Sequence, residues 1–519
     1  MQPMNKNRPG WRLLALIGLG LSLLILNIDL MIVNLALPVI GQLFQANLSD
    51  LQWINNIYSL SMASTVIFIG SLADRYGHRL TFLSGITLFC FGSLVAGLAF
   101  STAAIIIGRF FQGIGMAATF TMIFVLATLT FPKNQQGAIF GLLMIFTGIG
   151  MAVGPSLGGL MIAAFSWRWA FLINVPICLI SYFAIWLACP KDREDSSKKI
   201  HYTSAFLLTA LYFLILFALN NSQELSPRNF WVLFFAGMGG LAGFLVWQSR
   251  LRHPLVDITL FQNQIYSVVS SIRVLFQFSM GSFLFVLPLY LQNIEGFSVG
   301  LTGFIILALA AVLAIASPLS GRLSDRIGPE FSVLSSQICA VLGFGALVLM
   351  PIELSWPLLF FSLICVGANA GMALPATNYL VMREVPAAKK GLGFGTFTGM
   401  TFFFLSAGIA VTGYILNSIS TRNFYRLIAA SADATPDRAK IAPLINGAHS
   451  VDGLKELFLN QPDYAVFVGK SAFLSAFHFL MALLTGLSLA ALVLSIFLLI
   501  RFRKAQEIST KECLPSRRS

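Results

Sequence analysis

A carboxylate inside an apolar run is the first residue of this chain that could do chemistry. In "LLILNIDLMIVNLALP", Leu23 to Pro38, Asp29 stands among aliphatic neighbours with Asn27 and Asn34 close by. In a membrane such an acid is costly, and by default it faces the bundle interior and marks a proton or substrate pathway. Arg109, in "GRFFQGIGMA" (108–117), is the second such charge. The helix of Asp29 runs outward to near 36 and that of Arg109 runs inward from near 103. At 1.5 Å per residue both therefore lie roughly 10 Å from the outer end. This shared depth predicts that they influence each other, directly or through Asn34, Gln112 or water. Desolvation and a neighbouring cation act in opposite directions on the proton affinity of a carboxyl group. Asp29, with Arg109 as its electrostatic partner, is accordingly the candidate proton-coupling group, and a cationic cargo could compete for the same anion. The plain alternatives are a structural aspartate bonded inside the bundle and an arginine that packs against backbone carbonyls. Asn34, Asn55, Tyr58, Gln112 and Gln277 are the polar side chains expected in a substrate pocket. Arg273 reads as a cation that snorkels to the cytoplasmic side, and His478 as a hydrogen-bonded packing residue.

These residues need a scaffold, and composition says which kind. Of 519 residues 57% are hydrophobic and 10% charged, which is far from a soluble average and implies a polytopic membrane protein of all-α class. The net charge of +13 is a matter of topology rather than of nucleic-acid binding. Apolar runs of about 20 residues predict spans near 12–37, 51–72, 80–99, 103–130, 137–164, 169–189, 203–220, 230–248, 265–291, 299–320, 331–350, 356–380, 391–418 and 472–501. Basic residues crowd one set of loops, including Arg75 and Arg79, Lys191 to Lys199, Arg322 and Arg326, and Lys389 and Lys390. That asymmetry places those loops and both termini in the cytoplasm. The expected organisation is a six-helix bundle over 1–199, two inserted helices over 200–254, and a second six-helix bundle over 255–519. An extracytoplasmic segment at 419–471, with amphipathic pieces such as "SVDGLKELFLNQ", is expected to form short surface helices. The cysteines read as core residues, and neither a cofactor nor a metal is expected. No H-E-x-x-H, no phosphate-binding G-x-x-x-x-G-K-[ST] and no spaced Cys/His cluster is present, so enzymatic or ATP-driven chemistry is not indicated.

"GSLADRYGHRL" (70–80) and "GRLSDRIGPE" (321–330) share G-x-L-x-D-R-x-G at the same point of the two blocks, which signals repeated halves. In the first copy Gly70 and Gly77 allow close approach and a tight turn. Asp74 can accept hydrogen bonds from a neighbouring helix N-terminus and pair with an arginine such as Arg75 or Arg79. Gly321, Asp325 and Arg326 repeat this set, although Pro329 and Glu330 replace the basic pair His78 and Arg79. In "GIGMAVGPSLGGLM" (148–161), Gly150, Gly154 and Gly158 recur every four residues and form one close-packing helix face, with Pro155 adding a bend and Gly159 a further small residue. They lie in the outer half of the fifth span, where an outer gate would close.

"GSLADRYGHRL" and "GIGMAVGPSLGGLM", with "NIDLMIVNLALP" (27–38) and "GRFFQGIGMA", resemble the signature motifs of the major facilitator superfamily, and with "WRWAFLINVP" (167–176) and the fourteen spans they resemble its fourteen-helix drug/proton antiporter branch. The resemblance implies two six-helix bundles plus two inserted helices, a cytoplasmic latch at 70–80 and its second copy, and an outer-gate hinge at 148–159. It implies a proton-coupled exporter of amphipathic, cationic small molecules across a bacterial inner membrane. A dedicated exporter of one natural product and a non-transporting membrane sensor are the alternatives. Expected partners are the cargo, protons and the lipid bilayer, with no nucleic acid. A periplasmic adaptor protein is a further candidate, and the chain is otherwise expected to be a monomer.

Overall fold

The computed structural model describes residues 9–45, 48–191, 202–221, 225–251, 254–386, 389–428 and 462–512. Among these the chain is almost wholly helical, because in lipid every backbone polar group must be satisfied within its own segment. The first half comprises α1 (Pro9–Phe44), α2 (Leu48–Tyr76), α3 (His78–Gly97), α4 (Thr102–Thr130), α5 (Gln136–Ala164), the short α6 (Trp169–Leu172) and α7 (Asn174–Ala188). Then come α8 (Tyr202–Asn220) and α9 (Pro227–Gln248). The second half comprises α10 (Gln264–Leu289), α11 (Val299–Arg326), α12 (Pro329–Val348), α13 (Trp356–Glu384), α14 (Lys390–Ile428) and α15 (Pro462–Glu512). Among the described residues 13 segments are long and apolar enough to span a membrane. Separately, α5 is a 29-residue apolar helix lodged between α1 and α11.

Burial sorts the helices. The spanning window of α4 is 78% buried and that of α9 only 11%, so α4 lies at the centre and α9 at the periphery. Within the first half α3 packs on α4, α1 on α5 and α2 on α4, and in the second half α12 packs on α13, α11 on α13 and α10 on α14. Within the inserted pair, α9 is peripheral but α8 is packed into the bundle. Ile215, Leu216 and Leu219 of α8 pack with Leu60 and Ala63 of α2 and with Phe402 and Phe403 of α14, so α8 touches both halves.

Several boundaries differ from expectation. The duplicated motifs lie in helix ends rather than loops, because α2 and α11 continue to Tyr76 and Arg326. The reversal is then made at Gly77 and Gly328, whose φ values of 98° and 111° favour glycine. The flanks of the 419–471 segment are not separate surface helices, since 419–428 prolongs α14 and 462–471 begins α15. The stretch "SVDGLKELFLNQ" lies outside the described residues. Past Pro155, α5 runs on as helix to Ala164.

Candidate functional site

Arg109 sits on α4 at 1% exposure and points at α1, where Asp29 is fully buried. Its Nη1 donates to Asp29 Oδ2 at 2.5 Å and to Gln112 Oε1 at 3.0 Å, and its Nε donates to the Ile54 carbonyl of α2 at 3.2 Å. Gln112, one turn along α4 on the same face, donates from Nε2 to Asp29 Oδ1 at 3.0 Å. The expected interaction is thus both direct and relayed through Gln112. Tyr58 of α2 lies flat against the guanidinium, 4.0 Å from ring centroid to Cζ, and its hydroxyl donates to the Met116 sulfur. It supports the ion pair from one side instead of standing free in a pocket.

Two participants were not anticipated. Asn174 of α7 donates from Nδ2 to Asp29 Oδ1 at 2.7 Å and to Ser93 Oγ of α3 at 3.1 Å. Ser93 Oγ also accepts from Gln112 Nε2 at 2.7 Å. Asp29 therefore collects three donors from α4 and α7, all buried, while Asn174 Oδ1 has no hydrogen-bond partner. The signal for Asn174 was present in "WRWAFLINVP", an amide in the first turn of an inward-running span at the depth of Asp29. Ser93 gave none, since a serine among small apolar residues looks like packing. Such a pair holds together because each charge is compensated by hydrogen bonds. Removing one partner of a buried pair costs about 3–5 kcal/mol.

At the other end of the helices the two duplicated aspartates make equivalent contacts across the halves. Asp74 Oδ1 and Oδ2 accept from the backbone N–H groups of Gly391 and Leu392 at 2.7 and 2.8 Å, at the N-terminus of α14. Asp325 Oδ1 and Oδ2 accept from Gly137 and Ala138 at 3.0 and 2.7 Å, at the N-terminus of α5. Each carboxylate satisfies orphan donors and the positive end of a helix in the opposite half. The change to Pro329 and Glu330 does not disturb the second copy. Asp74 is also 3.1 Å from His78 Nε2, while Arg75 lies over the Tyr76 ring, Arg79 donates to the Trp186 carbonyl and Arg326 is exposed. Small residues permit the approach. A Cβ on Gly137 would meet the Gly321 carbonyl oxygen at 2.9 Å, and one on Gly391 would meet that of Gly70 at 2.5 Å.

Between these contacts and the ion pair lies an aromatic cluster that the sequence did not single out. Phe124 of α4 meets Phe394 of α14 at 5.4 Å, Phe120 meets Phe402 at 5.5 Å, and Phe140 of α5 meets Tyr379 of α13 at 6.3 Å. Lys390 Nζ donates to Thr128 Oγ1 at 2.9 Å beside it. The halves are closed together at this end.

The glycine face of α5 packs on α1. A Cβ on Gly150 would come within 2.6 Å of the Leu24 carbonyl oxygen, and Gly158 faces Ile32 just as closely. Gly154 is buried, whereas the side chain of Pro155 and the surroundings of Gly159 lie outside the described residues, as does the side chain of Asn34. Asn55 is half-buried on α2, one residue from the carbonyl that Arg109 uses, and Gln277 is buried on α10 of the other half. Arg273 does not snorkel, being 4% exposed with Nη1 donating to Thr377 Oγ1 at 3.2 Å. His478 donates from Nε2 to the Met350 carbonyl at 2.7 Å, a packing role.

Two helical halves with duplicated aspartate contacts and a buried intramembrane ion pair define a multi-pass membrane transporter. The Major Facilitator Superfamily model matches residues 19–412 and 269–509, and the chain belongs to that family. It is 30% identical over 411 residues, 78% of this chain and 76% of the other, to the multidrug resistance protein Stp of Mycobacterium tuberculosis (strain CDC 1551 / Oshkosh). It is 28% identical over 416 residues, 80% and 77% of the two chains, to the tetracenomycin C resistance and export protein of Streptomyces glaucescens. In fold it is similar to the proton:xylose symporter XylE, with a TM-score of 0.55, 12% identity and coverage of 91% of this chain and 95% of that one.

Proposed function

We propose that this transporter is a proton-coupled antiporter that exports amphipathic small molecules across a bacterial inner membrane by alternating access. Fourteen spans and cytoplasmic termini complete the reading, with both halves in one chain acting as a monomer. The single observation that carries it is Asp29, an intramembrane carboxylate ion-paired with Arg109 and hydrogen-bonded to two amides. Among the described residues Oδ2 has Arg109 as its one hydrogen-bond donor, while Oδ1 has two. A proton arriving at Oδ2 displaces the guanidinium, which retains Ile54, Gln112 and the Tyr58 ring as partners. The proton thereby removes the charge pairing between α1 and α4, leaving the Gln112 bond to Oδ1 as their link and the guanidinium with neutral partners only.

The Asp74 and Asp325 contacts serve as the cytoplasmic latch, with Gly70, Gly77 and Gly321 allowing it to close and Arg75, Arg79 and Arg326 flanking it. The α5 glycine face at 150–158 serves as the outer-gate hinge against α1. A cationic cargo would need Asp29 as its receiver, and in the conformation described that carboxylate is already occupied by three donors. Cargo charge is therefore decided by other groups.

The relative named for tetracenomycin C export supports the narrower reading of a single natural-product cargo. A panel of unrelated compounds in a pump-deficient bacterium separates the two, because broad resistance on expression supports the multidrug reading and one responsive compound the narrow one. For transport itself, proteoliposomes holding the full chain are expected to accumulate at least one compound of that panel when a proton gradient is imposed across them. Failure to move any panel compound under that gradient would count against transport altogether and in favour of a sensor.

A further inference from the structure

Asp29 and Arg109 neutralise each other, but a second cation buried in the spans is not neutralised. Arg273 lies about 14 Å along α10 from Gln264 and is 4% exposed. Among the described residues no carboxylate lies within ion-pair distance of it. A guanidinium carries five N–H donors, and the one side-chain bond seen is that from Nη1 to Thr377 Oγ1 of α13 at 3.2 Å. Its Nε has no acceptor. Its flanks are apolar and aromatic, with Cζ 5.5 Å from the Phe276 ring and 5.7 Å from the Phe397 ring. Gln277, one turn further along α10, shares its face.

Phe397 ties this cation to the closed end of the molecule. It packs on Phe394, 5.8 Å away, which in turn meets Phe124 of the first half. When the halves part there, the Phe394–Phe397 pair loses its first-half neighbour Phe124, which opens the second-half rings beside the guanidinium to the end that carries the latch. A brace between α10 and α13 would need only a neutral donor to Thr377. A permanent buried charge is costly unless something compensates it.

The geometry points to Arg273 as the recognition site for an oxyanion on the cargo, a carboxylate or sulfonate attached to a flat aromatic body. The planar fork of the guanidinium suits two oxygens at once, and the two phenyl rings suit the aromatic portion. As cargo recognition the assignment rests on the export reading above, while the binding site itself does not.

Three probes with one ring system separate the charges: pyrenesulfonate, pyrenemethanol and pyrenylmethyl-trimethylammonium. Fluorescence anisotropy on the purified full chain at low salt is expected to show the sulfonate bound about tenfold tighter than either other probe. Arg273→Gln is expected to bring the sulfonate-to-alcohol ratio close to one, and Arg273→Lys to keep part of it. Tighter binding of the ammonium probe by the wild type, or a ratio preserved in Arg273→Gln, overturns the assignment. Uptake into proteoliposomes under a proton gradient then tells the two readings apart. Arg273-dependent binding of the sulfonate without accumulation of any probe supports the anion site and sinks export. Accumulation of all three without preference for the sulfonate supports export and sinks the anion site.

Discussion

Asp29 accepts two amide hydrogen bonds on the same oxygen, from Gln112 and Asn174, and this makes Asn174 a positioning residue rather than a bystander. Losing it leaves Oδ1 with one donor and the carboxylate free to turn. Asn174→Ala is expected to reduce proton-driven efflux by roughly tenfold, as for loss of a hydrogen bond to a charged group. Asn174→Asp would place a second acid against Asp29 and is expected to be worse. Efflux by Asn174→Ala at the wild-type rate would remove the residue from the network. Asp29 and Arg109 were legible because a charge in an apolar run needs a partner, and helical rise alone put the two at one depth. Gln112 followed from its place one turn from Arg109. Ser93 was not legible, because a hydroxyl that bonds within a bundle has the same composition and spacing as one that merely packs. Arg273 was misread for a related reason: snorkelling depends on which way α10 faces, and spacing along one helix does not say.

Among the elements, the paired contacts of Asp74 and Asp325 bind α14 and α5 by their N-terminal amides. Asp74→Asn is expected to raise hydrogen exchange at Gly391 and Leu392, and Asp325→Asn at Gly137 and Ala138. Each increase should be about two- to fivefold, the value of a charge at a helix end. Unequal responses would mean that the copies are not functionally equivalent. The motif pair was visible as G-x-L-x-D-R-x-G, but its acceptors were not, since the backbone N–H groups of Gly391 and Gly137 have no residue-type signature.

The connector before α10 supplies a different check. There Asp257 is buried and ion-paired with Lys389. Burial raises its carboxyl, but the Lys389 and Thr259 hydrogen bonds and the Lys389 charge outweigh it and hold the group below the ordinary carboxylate range. A carboxylate depressed in the fold contributes stability above its unfolded pKa of about 4 and loses it as pH falls through the lower folded value. Lys389→Met should therefore flatten the acid limb of a thermal-stability profile measured below about pH 4. An unchanged limb would show that the pair is not felt.

For the molecule as a whole, the repeated halves and the family were legible because the motifs fall in order along the apolar runs. How the halves meet was not. The Phe120, Phe124, Phe140, Tyr379, Phe394 and Phe402 cluster is hidden among 47 phenylalanines, most of which could equally face lipid. Among the described residues the hydrogen bonds between the halves gather at the end of the aspartate pair, away from the Asp29 ion pair, and on the proposed mechanism a proton at one level acts on a closure at another. The measurement that tests this coupling most directly compares two modes of transport in proteoliposomes of Asp29→Asn. Asparagine keeps the size of the side chain and an acceptor for Gln112 and Asn174, but it cannot take up a proton. The account predicts that the variant still exchanges labelled for unlabelled cargo at equilibrium while losing uphill accumulation under a proton gradient. Uphill accumulation at the wild-type level in Asp29→Asn would contradict it.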